Sequence, residues 1–247
     1  MKNAIELIQD NDISILTMDD GKVNPFSFET IAQFESCLDR VPQDKGALLI
    51  AGRPGIFSAG FDLRVVRGGS NALLLDLVER GVNLLIRVAR FPRPVVLECH
   101  GHSVALGAFM MLAADYRLGA AGDFQIGLNE VRNGLPLPNC FRVLARHRIP
   151  NAWFDRAFMQ AEMYAPEAAI APGFLDEVVP AADLRAASLA QVHRLAALPH
   201  PAYQVAKERD RNRLALAMLE DFRADAMNAF AATLSDSGNA TRSANIA

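Results

Sequence analysis

The chain has 247 residues, 51% of them hydrophobic, and its 25 Lys and Arg nearly balance 28 Asp and Glu for a formal net charge of −3. That apolar fraction and small charge exclude disorder as the main character, and the missing basic excess argues against a nucleic-acid partner. A chain this long buries roughly three quarters of its unfolded surface, so one large core needs no disulfide or metal staple.

Ile13 to Met18 reads as a strand ended by the turn Asp19-Asp20-Gly21. Ser27 is a helix N-cap, with Phe34 and Leu38 on the apolar face of a helix running towards Val41. Ala47 to Ala51, bounded by Gly46 and Gly52, suits a buried strand. Leu74, Leu77, Val78, Leu84, Leu85 and Val88 recur at three- and four-residue spacing, which predicts an amphipathic helix over 71–90. Phe91-Pro92-Arg93-Pro94 stops it, and Val95 to Leu97 restarts as a strand. Gly101 to Gly107 is a turn into a helix that continues through Phe109 to Asp115 and is apolar nearly all round, hence buried. Tyr116 to Leu118 and Phe124 to Ile126 are strand-like, and beyond Pro138 the pattern turns helical, with long helices over 184–198 and 205–234. The stretch 235–247, rich in Ser, Asn and Ala, is expected to be loosely ordered. Strands first and helices last is the outline of an α/β core with a helical C-terminal region.

Cys37, Cys99 and Cys140 are odd in number, far apart and form no C-x-x-C, so buried reduced thiols are expected and no metal site. His100 and His102 alternate without a third ligand at a convincing spacing. The first residues carry no apolar leader, and the longest uncharged stretch, 99–114, is shorter than the ~20 residues that span a bilayer. A cytoplasmic protein without a membrane partner is the expectation. Lys207, Arg209, Arg211 and Arg213 alternate with Glu208 and Asp210, the pattern of a solvated helix face.

Two glycine-punctuated segments share one design. Gly55 to Leu63 follows one predicted strand, and Gly101 to Gly107 leads from another into a helix start. Free backbone N–H groups gather at such starts, and two of them converging on one point make an oxyanion hole. Each loop alone is weak, because most glycine turns are only turns.

Together the blocks carry a resemblance. Phe57-Ser58-Ala59-Gly60-Phe61-Asp62-Leu63 resembles the first signature of the crotonase superfamily, the enoyl-CoA hydratases and isomerases. Pro94-Val95-Val96 through Asp115-Tyr116-Arg117 resembles the second. Ile126-Gly127-Leu128-Asn129-Glu130 with Gly134-Leu135-Pro136 resembles the third, as found in 3-enoyl-CoA to 2-enoyl-CoA isomerases. The resemblance implies a crotonase-like spiral of ββα units over 1–183 and a helical oligomerisation region over 184–247 that builds trimers or dimers of trimers. It implies an acyl-CoA thioester as substrate, with no cofactor beyond the coenzyme A that the substrate carries.

Carried residue by residue, it implies Glu130 as the acid/base and the N–H groups of Phe61 and Leu106 as the oxyanion hole. It also implies coenzyme A and acyl contacts at Lys22, Val23, Ala59, Asp62, Leu63, Arg64, Gly107 and Phe109, with Lys207 able to reach a neighbouring subunit's ligand. Leu106 departs from the family's usual glycine, which a main-chain contact tolerates. Phe109 stands where family hydratases carry a second glutamate and cannot move a proton, so a two-carboxylate hydration is in doubt and a one-base double-bond shift is favoured. Glu130 near apolar Phe109, Met110 and Leu135 predicts a carboxyl raised by desolvation. Hydration or another crotonase reaction is the alternative. Rivals of other classes are a non-catalytic acyl-CoA-binding protein and a serine hydrolase using Ser103 of Gly101-His102-Ser103-Val104-Ala105, whose motif lacks its last glycine.

Overall fold

A computed structural model describes residues 3–243, with side chains through Met227. The chain opens with an antiparallel hairpin, β1 (Ile5–Asp10) and β2 (Ile13–Met18). Its two-residue turn places Asn11 at φ +51°, a conformation asparagine tolerates. Ser27 caps α1 (Phe28–Arg40) through a reciprocal exchange with Thr30, as its position in the sequence predicts.

From here the chain repeats one unit: a strand in a large sheet, a short strand in a small sheet, then a helix. The first unit is β3 (Ala47–Ala51), β4 (Gly55–Ser58), the short α2 (Leu63–Gly68) and α3 (Asn71–Ala89). The second is β5 (Val95–Cys99), β6 (Gly101–Val104) and α4 (Leu106–Ala113). The third is β7 (Tyr116–Ala120), β8 (Ile126–Gly127) and α5 (Asn139–Arg148). After α6 (Asn151–Phe154), a turn of π-helix and β9 (Glu177–Val179), the chain closes with α7 (Leu184–Ala196) and α8 (His200–Ser243).

The large sheet runs β1-β2-β3-β5-β7-β9, parallel from β2 onward, and the small one runs β4-β6-β8, also parallel. Every residue of β3 and β5 is buried, because helices cover both faces of the large sheet. Leu16, Leu48, Ile50, Val95 and Leu97 face the main core with α1, α3 and α4. Ile13, Leu49, Val96 and Leu118 on the other face meet Leu184 and Val192 of α7. α8 lies along α5 and α3. Crotonase-like ββα repetition with a helical C-terminal region is therefore the architecture.

Some details differ from the sequence reading. β1 and β9 carry no clear alternation, because β1 is a mostly exposed edge strand and β9 has three residues. The third short strand is 126–127 rather than 124–126. α8 starts at His200 and its backbone continues through Ser243, so of the stretch expected to be loose only 244–247 lie outside the described residues. The basic run on α8 is not uniformly solvated. Lys207 and Arg211 are each 7% exposed, with Lys207 Nζ donating to Asp115 Oδ2 at 2.5 Å and to the Arg93 carbonyl at 3.1 Å. Alternation of charge along a helix does not reveal which turn a neighbouring carboxylate will draw inward. All three cysteines are free and buried. Among the described residues no group of three or more His, Cys, Asp and Glu could hold a metal, and no helix is long and apolar enough to cross a membrane.

Candidate active site

The site forms where the three strands of the small sheet end. β4, β6 and β8 are parallel neighbours, so the segments that follow them, 59–61, 105–106 and 128–130, emerge side by side at the carboxyl edge. A β-carbon placed on Gly60 would lie 2.6 Å from Ala105 Cβ and 3.2 Å from the Leu106 nitrogen, which is how closely the first two turns approach. Gly60 adopts φ +88°, and Ala105 holds φ +52° with ψ −126°, a conformation that strains any residue with a β-carbon by about 1–3 kcal/mol. This twist sends the chain from β6 directly into α4 and leaves the Leu106 N–H at the helix start without a backbone acceptor. The Phe61 N–H likewise has none, since its bridge to Phe26 uses the Gly60 carbonyl and the Asp62 amide.

The first turn is braced from behind. Buried Asn24 donates to the carbonyls of Met18 and Phe57, Ser58 Oγ donates to the Asn24 carbonyl at 2.7 Å, and the Gly60 amide donates back to Ser58 Oγ at 3.1 Å. The Ala59 amide donates to the Val23 carbonyl. Val23 thus buttresses the turn through its carbonyl, the Lys22 carbonyl accepts from the Arg53 guanidinium, and neither residue lines the cavity in front.

That cavity has a volume of about 940 Å³ and is walled by apolar residues of α3, the 135–138 segment, α5 and α8. It unites Ala59, Phe61, Leu63, Leu106 and Glu130, five of the residues named from sequence. Asp62, Arg64, Gly107 and Phe109 do not line it. Asp62 caps α2 and pairs with Arg64 at 2.7 Å; the Arg64 hydrogen bond holds its carboxyl below the usual range. Arg64 itself points outward, 87% exposed. Gly107 is needed for packing, since a β-carbon there would lie 2.8 Å from the Ser58 carbonyl. Phe109 is fully buried in the core. A second hollow of about 750 Å³, between β1 and α1, is lined by surface residues such as Glu6, Gln33 and Arg40 and holds none of the predicted residues.

Glu130 follows β8 and precedes the 3-10 turn Val131–Asn133, its carbonyl accepting from the amides of Asn133 and Leu135. Its Oε2 is buried with no hydrogen-bond partner, and burial pushes the carboxyl up to about 7. A carboxyl poised near neutrality beside two unpaired N–H groups can take and return a proton next to a stabilised oxyanion.

Sequence reasoning did not name Phe141, Phe222 or Gly81. Phe141 and Phe222 line the cavity from α5 and α8, whereas a β-carbon on Gly81 would collide with the Phe61 ring at 2.5 Å. The heptad-like spacing of α3 and α5 marks an apolar face, but not which part of it a cavity will use. The hydrolase rival loses its nucleophile: Ser103 is fully buried in β6, its Oγ has no partner, and no histidine reaches it. His100 instead pairs with buried Glu98, and His102 Nδ1 accepts from the Gln125 amide at 3.0 Å.

Known proteins share this arrangement. An enoyl-CoA hydratase/isomerase family protein of Pseudomonas syringae superposes with a TM-score of 0.87 at 37% identity, over 90% of this chain and 96% of that one. The human mitochondrial delta3-delta2-enoyl-CoA isomerase superposes at 0.86 with 26% identity, over 91% and 90%. In sequence, the mouse mitochondrial enoyl-CoA delta isomerase 1 is 28% identical over 220 residues, 87% of this chain and 76% of that protein. Residues 9–242 match the family model for enoyl-CoA hydratase/isomerase. With its ββα spiral, its paired amides and its acyl-sized cavity, the chain belongs to the enoyl-CoA hydratase/isomerase family and is an acyl-CoA-processing enzyme of it.

Proposed function

We propose that the protein shifts the double bond of a 3-enoyl-CoA to the 2-position, using Glu130 as its single acid/base. One observation carries this reading: among the described residues the cavity is lined by two carboxylates, and Glu130 has a buried oxygen with no hydrogen-bond partner, whereas Asp225 is engaged by Asn139. The thioester oxygen accepts from the N–H groups of Phe61 and Leu106. Glu130 removes a proton from C2, the C–H electron pair forms the C1=C2 bond, and the carbonyl pair moves to oxygen. The dienolate then reprotonates at C4 from Glu130, the C3=C4 pair taking the proton while the carbonyl and a C2=C3 bond form. Each oxyanion donor is worth about 3 kcal/mol of the barrier. Nothing is consumed, so one carboxyl near neutrality suffices in both directions.

On this reading the coenzyme A portion lies against Ala59, Leu63 and Arg67 of the cavity lining, with the acyl chain between α3 and α8. A trimer or dimer of trimers is part of the same proposal, and sedimentation of the purified protein checks it. The deciding experiment incubates the enzyme with a 3-enoyl-CoA and a 2-enoyl-CoA separately. Conversion of the first without hydration of the second is expected. Hydration of the second at a comparable rate refutes the one-base mechanism.

A further inference from the structure

Phe109 sits three residues after Leu106, on the same short helix, whose first residue lines the cavity. Its ring is fully buried and does not reach the cavity surface. In front of it stands Phe141 of α5, which does, with the two ring centroids 4.6 Å apart and their planes tilted by 38°. The cavity wall at Phe141 is therefore two aromatic rings deep. The start of α5 is fixed as well: Asp225 of α8 accepts from the Asn139 amide at 2.6 Å and from Asn139 Nδ2 at 2.9 Å. Phe141, two residues further along α5, is 3% exposed, with the Phe109 ring packed against it and the cavity in front. Glu130 lines the same cavity, and its buried carboxyl oxygen has no hydrogen-bond partner.

We propose that Phe109 is a positioning residue that acts through Phe141, keeping that ring against the acyl chain so that water cannot reach the proton Glu130 carries between C2 and C4. The inference rests on the isomerase reading. In that reaction the C2–H bond breaks, an O–H bond forms on Glu130, and the same O–H breaks as C4–H forms. The hydrogen is retained only if the carboxylic acid meets no water while the dienolate lasts. An acid O–H touching water exchanges, and the exchanged atom is delivered to C4. A second aromatic ring behind the first prevents Phe141 from turning away and opening a gap, in the way close packing fixes core rotamers.

The test is isomerisation of a 3-enoyl-CoA in D2O, stopped early, with deuterium at C4 of the 2-enoyl product read by mass spectrometry. Wild type is expected to label a minority of product molecules. Phe109→Ala is expected to raise the labelled fraction several-fold, and Phe109→Leu, which refills most of the space, to return it towards wild type. Phe141→Ala should raise labelling too, and the double variant should exceed Phe141→Ala by nothing, because one side chain acts through the other. If the alanine variants do not fold, Phe109→Met and Phe141→Leu make the same comparison. Full labelling in wild type, unchanged labelling in the Phe109 variants, or additive effects in the double variant would each overturn the proposal while leaving the isomerase reading intact. Failure of wild type to convert any 3-enoyl-CoA sinks that reading and this proposal with it.

Discussion

Replacing Glu130 by glutamine removes a charge while nearly keeping the shape of the side chain, so it measures what holding that carboxylate in the cavity wall costs. Burial raises the carboxyl from an ordinary 4.5 to about 7. At about 1.4 kcal/mol per pH unit, that rise corresponds to about 3 kcal/mol of folded-state destabilisation once the group is ionised. The sign follows from a folded-state pKa above the unfolded one. Below the ordinary carboxylate value both states are protonated and nothing is lost, and stability falls as pH climbs from there through about 7. Glu130→Gln is therefore expected to match wild type at acid pH and to exceed it by up to about 3 kcal/mol at mildly alkaline pH. Urea unfolding followed by the fluorescence of Trp153, the one tryptophan in the chain, reads this at each pH. A gain of equal size at both ends would refute the burial account. The same ionisation governs catalysis, since a base must be unprotonated to attack C2. For wild type kcat/KM should rise through a midpoint near 7, and a profile flat across that range would refute the role of Glu130.

Three further expectations concern the frame of the site. Gly60→Ala puts a β-carbon at φ +88° and 2.6 Å from Ala105 Cβ; a loss of about 1–3 kcal/mol in unfolding should accompany a fall in kcat of about 100-fold as the amides part. Lys207→Met strands the Asp115 carboxylate in the interior, and denaturant unfolding should show about 3–5 kcal/mol lost; less than about 1 kcal/mol would mean the pair is not buried in solution. Asp225→Ala removes the two hydrogen bonds from Asn139 that help tie α8 to α5, at about 1.5–3 kcal/mol. Steady-state kinetics should then show KM raised more than kcat is lowered.

Much of the frame was legible before any coordinates. Ser27 announced α1, the spacing of Leu74 to Val88 announced α3, and the fully apolar runs 47–51 and 95–97 announced strands covered on both faces. Three signature-like blocks carried the family and named Glu130, Phe61 and Leu106, which lie on one cavity. Other residues in those blocks turned out to face elsewhere. Val23 supports the first turn from behind, Lys22 lies off the cavity beside Arg53, Asp62 caps a helix, and Arg64 extends into solvent. A motif records which residues accompany a turn, but the side on which each one lies depends on the strand it follows.

Residue order fixes local features: the chain's turn at Gly60, which faces of helices are apolar, and which side chains can move a proton. These follow from backbone sterics and from hydrophobic periods of 2 and 3.6 residues, which act over a few neighbours. Long-range strand pairing is what makes β4, β6 and β8 end side by side, so that Phe61 and Leu106, forty-five residues apart in the chain, line one cavity with Glu130. The fold also puts Phe109 behind Phe141 and turns Lys207 inward to Asp115. Such placements depend on the parallel pairing of distant strands and on close packing between separate helices, and neither leaves a periodic trace in the order of the residues.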